Sequence, residues 1–267
     1  MSINSIKMNI LNEKIAELSS MKSIPKQIFY DGNLELLKRR KISIVGSRKP
    51  TAYSRLQIQN LSSLLSKKGV CIVSGGAIGI DSLAHVGAGA SNTIAILPCG
   101  IDIRYPAINK KLLDDIAKEG LLLSQFEVGF NATPWSFVLR NEIVVALGEV
   151  LVVAQADVNS GTMRSVEYAL EMKKEIFVLP QRLGESQGTN ELLKKGLAKA
   201  IYDVDEFAAK FQTPQNIAQI EDVKDSFYLY CSKNPTYEEA VKKYPNRIFE
   251  AELMGEIRVI NGIILNN

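Results

Sequence analysis

Between Lys41 and Phe211 the chain repeats one pattern: a short apolar, β-favouring run, a loop of Gly, Ser or Pro, then a stretch whose apolar positions recur at helical spacing. The runs are Ile42 to Val45, Val70 to Val73, Thr93 to Leu97, Leu121 to Ser124, Val150 to Ala154 and Ile176 to Leu179, with a weaker seventh at Ala200 to Val204. They are apolar without alternation, as strands covered on both faces of a parallel sheet must be. Between them, Tyr53 to Lys67 sets Leu56, Leu61, Leu64 and Leu65 on one stripe, and Trp135 to Leu147 and Met163 to Met172 are spaced in the same way. Strand and helix in this alternation predict an α/β fold, a doubly wound, mostly parallel sheet of the Rossmann-like kind.

Such sheets bind ligands beyond the carboxyl ends of their strands. The loops predicted there are alike: Gly46, Ser47 and Arg48; Ser74 to Gly79, with Gly75 and Gly76; Pro98 to Gly100; Asn159 to Thr162, with Ser160 and Gly161; and Gln187 to Asn190, with Gly188 and Thr189. Glycines admit backbone N–H groups to an anion, hydroxyls add donors, and a helix N-terminus favours a negative charge by about 0.3–1 kcal/mol. Five such loops on one edge point to a ligand carrying several phosphates, with ordinary turn chemistry as the alternative.

The flanks differ from this core. Residues 1–40 are expected to be an N-terminal extension packing on the core, and 41–211 the Rossmann-like domain. Residues 212–219, within a polar, Pro-containing stretch, are expected to be a linker. In 220–267 three helical runs precede a hairpin with Asn261 and Gly262 at its turn, which predicts a small winged-helix-like domain. Its third helix carries Glu250, Glu252 and Glu256 against Arg247 and Arg258, a poor complement to a DNA groove and better suited to a protein partner.

Composition narrows the chemistry. Of 267 residues, 46% are hydrophobic and 23% charged, with a net charge of +3, so an anionic partner has to be held by local geometry. Cys71, Cys99 and Cys231 are scattered and suggest buried thiols in a cytoplasmic protein, with no disulfide framework, metal or cofactor. No run approaches the ~20 apolar residues of a membrane span. A dinucleotide turn would need G-x-G-x-x-G after the first strand, where only Gly46 stands, and no G-x-x-x-x-G-K-[ST] run exists. His85, the only histidine, lies four residues after Asp81, so an acid–base pair is conceivable, but a capping Asp and a packed His are the commoner arrangement. No catalytic residue is assigned. Phe137, Arg140 and Asn141 fall about one helical turn apart, and an aromatic beside a guanidinium suits single-stranded nucleic acid. The alternative is that Trp135 and Phe137 are core and Arg140 pairs with Glu142 or faces solvent.

Taken in order, "IFYDGNLELL", "IVGSRKPTAYS", "VSGGAIGIDSLAH", "LPCGIDIRYPAINKKL", "GLLLSQF", "FVLRNEIVVAL", "VVAQADVNSGTMRSVEYAL", "IFVLP" and "GTNELLKKG" resemble the DNA processing protein A (DprA/Smf) family over about residues 25 to 211. The resemblance implies a cytoplasmic, non-enzymatic, homodimeric binder of single-stranded DNA that loads the RecA recombinase during natural transformation. It matches Gly46, Ser47 and Arg48 to the family's phosphate-gripping loop, and Phe137, Arg140 and Asn141 to its FxxRN element. Ser160, Gly161 and Thr162, with Gly188, Thr189, Asn190 and Lys194, match its later loops. Two positions depart from the family pattern: Glu142 stands where an arginine often follows RN, and Ile78 where SGLARGID has its arginine. The alternative from another class is a nucleotide phosphoribohydrolase of the LOG type, whose PGGxGTxxE loop is approximated by Val158 to Glu167, with Gly161, Thr162 and Glu167 retained.

Overall fold

The computed structural model describes residues 9–211, 227–253 and 255–266. The chain divides into two compact units, Met1–Gln212 and Thr213–Asn267. In the first, the elements run β1 (Asn9–Ile10), β2 (Phe29–Gly32), β3 (Lys41–Val45), α1 (Ala52–Lys67), β4 (Cys71–Ser74), α2 (Ile80–Ala88), β5 (Thr93–Ile96), α3 (Lys110–Glu119) and β6 (Leu121–Ser124). They continue through α4 (Pro134–Leu147), β7 (Leu151–Val153), α5 (Gly161–Glu171), β8 (Ile176–Val178), α6 (Gln187–Lys194), β9 (Lys199–Ala200) and α7 (Val204–Ala209).

The strands form a nine-stranded sheet ordered β1-β2-β6-β5-β4-β3-β7-β8-β9. From β6 to β9 every neighbouring pair is parallel. The predicted runs therefore become strands because helices cover both faces. On one face Val45, Val73, Ile96 and Val153 pack with Ile143 to Leu147 of α4 and Val166 of α5; on the other, Ile42, Ile44, Ile72 and Val152 pack with Ile58, Leu61 and Leu65 of α1 and with α2.

Three expectations change. The described part of the N-terminal extension, residues 9–40, does more than pack on the core: β2 pairs antiparallel with β6, and β1 with β2, so it supplies an edge of the sheet. Leu56 is 65% exposed and leaves the expected stripe of α1, of which Leu61 and Leu65 are buried and Leu64 packs against them, with Ile58 taking the vacant place on the buried face. Of the seventh run, Ala200 to Val204, only Ala200 is in a strand, Lys199–Ala200, because the Asp203 side chain accepts from the Asp205 and Glu206 amides and starts α7 at Val204.

The second unit contains a helical segment over 227–231, α8 (Tyr237–Lys243), α9 (Pro245–Leu253) and the antiparallel pair β10 (Ile257–Ile260) and β11 (Ile263–Asn266). Asn261 and Gly262 have φ of 51° and 76°, the two positive values that a two-residue type I′ hairpin demands. Phe227, Cys231, Ala240, Ile248, Ala251, Ile257 and Ile264 make its core. The expected linker over 212–219 lies outside the described residues.

Candidate nucleic-acid interface

β3 has β4 on one side and β7 on the other, so the connections leaving β3 and β7 diverge and open a crevice above their carboxyl ends. A hollow of about 660 Å³ fills it. Gly46, Ser47 and Arg48 line it from the β3 loop, Ser160, Gly161, Thr162 and Ser165 from the start of α5, and Thr133, Phe137, Val138, Arg140 and Asn141 from the start of α4. Ala77, Asp81, Tyr105 and Pro134 also line it.

The β3 loop is held by its own backbone. Ser47 N–H donates to the Gln155 carbonyl at 2.8 Å, and the Ser47 carbonyl accepts from Ile80 N–H at 3.1 Å. The facing Gly79 has φ +91°, and a Cβ there would stand 2.4 Å from the Ser47 oxygen, so only glycine lets the two turns meet. Arg48 is exposed, and its guanidinium lies over the Phe137 ring, 5.2 Å from the centroid. Arg140 approaches the same ring at 5.8 Å, and Tyr105 meets it edge-on at 5.8 Å.

Arg140 is 3% exposed, with Nη1 donating to the Ile96 carbonyl at 3.2 Å and standing 3.7 Å from Asp81 Oδ2. Asp81 in turn accepts from Gly75 N–H. Burial pushes the Asp81 carboxyl up against the pull of Arg140, and it pushes the Arg140 guanidinium down, with Arg48 adding repulsion and Asp81 opposing. Two cations thus meet at one aromatic ring, one in water and one beneath the floor. A third source of positive field is the N-terminus of α5, whose first turn has no acidic residue. Around the hollow, Ser160 Oγ, Ser165 Oγ and Arg140 Nε are buried with no hydrogen-bond partner among the described residues. The exposed Arg48, the buried Arg140 and the α5 N-terminus together make the hollow positive, which suits an anion.

The sequence-predicted residues separate into two groups. Gly46, Ser47, Arg48, Phe137, Arg140, Asn141, Ser160, Gly161 and Thr162 converge on the hollow. Gly75 and Gly76 do not line it: both are buried, and a Cβ on Gly75 would lie 1.2 Å from Arg140 Nη1, so that glycine makes room for the arginine. Gly188, Asn190 and Lys194 line another, more apolar hollow with Leu170, Leu183 and Leu197, while Thr189 is buried and bonded to Ser186. Gly188 faces the Ala156 carbonyl, which a Cβ would approach to 2.7 Å. Pro98 to Gly100 are buried. The five loops therefore do not converge on one hollow.

Other expectations resolve similarly. His85 bonds Thr93 at 2.6 Å and not Asp81, so the packed arrangement holds. Arg140 pairs with Asp81 and not Glu142. Glu142 is 7% exposed and accepts from the Lys22 amide, so its charge turns away from the hollow. Ile78 is 46% exposed and lines a shallow hollow with Arg48, Lys49 and Arg55, which keep that surface basic. Burial pushes the Cys71 thiol up to about 12 and Cys99 up to about 11, so neither is a ready nucleophile. Tyr105, Thr133 and Ser165 were missed as site residues. Thr133–Pro134 is a helix-start signal and Ser165 follows Gly161 by one turn, whereas nothing in the pattern marks Tyr105.

The family model for DNA recombination-mediator protein A matches residues 12–212. The chain belongs to this family. Among curated relatives, DNA processing protein DprA of Streptococcus pneumoniae is 34% identical over 200 residues, covering 73% of this chain and 70% of its own length. DprA of Bacillus subtilis is 36% identical over 194 residues, covering 71% of this chain and 65% of its own. The solved structure of Helicobacter pylori DNA processing protein A, reported for its single-stranded DNA binding mode, matches with TM-score 0.75 and 40% identity over 76% of this chain and 95% of that one. The X-ray structure of S. pneumoniae DprA matches with TM-score 0.72 and 32% identity over 78% and 76%. The family match ends where the first compact unit ends, so residues 213–267 lie outside it.

Proposed function

We propose that this chain binds single-stranded DNA through the hollow between β3 and β7 and acts as a recombination mediator without catalysing a reaction. The observation that carries the reading is the meeting of Arg48, Arg140 and the α5 N-terminus in a hollow lined by no His or Cys and by Asp81 as its one carboxylate. An anion fits there, and Asp81 is already bonded to Gly75 and paired with Arg140. A phosphoribohydrolase would need Glu167 at this place, but Glu167 lines the apolar hollow and pairs with Arg164. Incubation with a nucleoside monophosphate is expected to release no base; release would reinstate the enzyme reading.

Arg48 is the exposed cation of the site, and Arg48→Ala is expected to weaken binding to a poly-dT oligonucleotide about 10- to 100-fold, the loss of one charge-assisted contact. The slope of log affinity against log salt should shrink by about 0.7. Fluorescence anisotropy of a labelled oligonucleotide measures both, and an unchanged affinity removes Arg48 from the site. Gly188, Thr189, Asn190 and Lys194 are proposed to support the strand's path only indirectly, through the fold.

Handing the strand to a RecA-type recombinase in natural transformation, homodimer formation and a cytoplasmic location complete the proposal on the strength of the family. No described helix is long and apolar enough to cross a membrane. Light scattering is expected to give twice the 29.5 kDa chain mass. The second unit is proposed to contact protein: Arg247, one of the cations near its third helix, is bound to Glu256 and lies over Phe227.

A further inference from the structure

Trp135 is the only tryptophan in the chain, and 52% of it is exposed. It is nevertheless held. Phe126 and Phe130 stack on each other at 4.7 Å and 13°, and the indole meets them edge-to-face at 5.6 and 5.4 Å. Phe126 is itself 7% exposed, so the support is anchored in the interior. A large ring fixed by two others, with half its surface in water, is prepared for a flat partner.

Its position relates it to the hollow. Pro134 and Val138 line the hollow, and on helix α4 Trp135 lies about 100° round from Pro134 and about 60° from Val138. Val138 and Leu139 are 37% and 40% exposed, so an apolar strip leads from the rim to the indole. Phe137, the aromatic residue inside the hollow, is already engaged by Arg48, Arg140 and Tyr105. A base arriving there would have to displace a guanidinium. Among the described residues no cation lies over the Trp135 ring.

We propose that Trp135 is the base-stacking platform of the site: a nucleobase neighbouring the phosphate in the hollow lies against the indole, while Phe137 orients the two guanidiniums. This rests on the reading of the hollow as a single-stranded DNA site. A single strand alternates anionic and planar groups, as the hollow and the indole do, and a paired duplex has its base faces already occupied. Stacking of this kind tolerates any sequence.

The full chain is titrated with an oligo-dT and with an abasic oligonucleotide of equal phosphate number, following Trp135 emission and, separately, the anisotropy of the labelled oligonucleotide. The expected result is quenching by oligo-dT alone and tighter binding of oligo-dT. Trp135→Ala is expected to weaken oligo-dT binding roughly 5- to 100-fold, with little change for the abasic strand and an unchanged salt slope; Trp135→Phe should keep most of the affinity. Oligo-dT that binds without quenching, or a Trp135→Ala variant that weakens both oligonucleotides equally, overturns the platform and leaves the phosphate site standing. If neither oligonucleotide binds, the single-stranded DNA reading fails and the platform with it.

Discussion

Arg140→Met is expected to lower the unfolding free energy of the first unit by about 3–5 kcal/mol, the cost of stranding one member of a buried ion pair. Methionine keeps much of the stem's volume, so the loss falls on charge and hydrogen bonding. Asp81, 8% exposed, would keep the Gly75 amide but lose the guanidinium at 3.7 Å, and the Ile96 carbonyl would lose its donor. The space that Gly75 leaves for Nη1 would also be vacated. Combining Arg140→Met with Asp81→Asn removes the uncompensated carboxylate and is expected to recover part of the stability, so the two changes should be strongly non-additive. Urea unfolding followed by Trp135 fluorescence reads the first unit directly. A single variant within about 1 kcal/mol of the parent would show that the pair does not brace the floor of the site.

Arg140 also shows where sequence reading stops. Helical spacing put Phe137, Arg140 and Asn141 on neighbouring positions, and they do share the hollow. Spacing carries no depth, however, and Arg140 lies under the floor because the sheet, Gly75 and Asp81 close around it. The parallel strands were legible because burial on both faces leaves continuous apolar runs. The Asn261–Gly262 turn was legible because two positive φ values are expensive for most other residues. The glycine loops were only half legible, since a missing Cβ admits a ligand at one place and protein atoms at another. Gly161 has open space at the hollow where a Cβ would stand, whereas Gly46 makes room for the Ile80 side chain, Gly75 admits Arg140 and Gly188 admits the Ala156 carbonyl. β2 was missed because four residues, Phe29–Gly32, are too few for a pattern, and their pairing with β6 is tertiary. Trp135 was weighed as core because an aromatic at helical spacing usually is; its exposure follows from the long loop before α4, which brings Phe126 and Phe130 to one side of it.

Mild acid is expected to weaken the fold through His85. The Thr93 hydroxyl donates to the Ile72 carbonyl at 2.8 Å, so its only hydrogen is spent and His85 Nδ1 must be the donor in their 2.6 Å bond. Nε2 is then a bare lone pair, buried with no partner among the described residues. A second proton would place a charge there in a fully enclosed site, and burial, with repulsion from Arg140, holds the imidazole down at about 3. In the unfolded chain it titrates near 6.5. Above that pH the ring is neutral in both states and stability is complete. Below it the unfolded chain takes up a proton that the folded protein refuses, so stability falls by about 1.4 kcal/mol per pH unit until the folded value is reached. Asp81 and Glu142, raised by burial, act in the opposite direction as carboxylates begin to protonate. The interval from pH 6.5 to 5 should therefore show the histidine most clearly, as a loss of about 2 kcal/mol. His85 is the chain's only histidine, so His85→Gln is expected to flatten this dependence even if it lowers stability at pH 7.5. Urea titrations at pH 7.5, 6 and 5 on both proteins decide it: a flat profile in the parent, or the same slope in His85→Gln, would locate the acid sensitivity elsewhere.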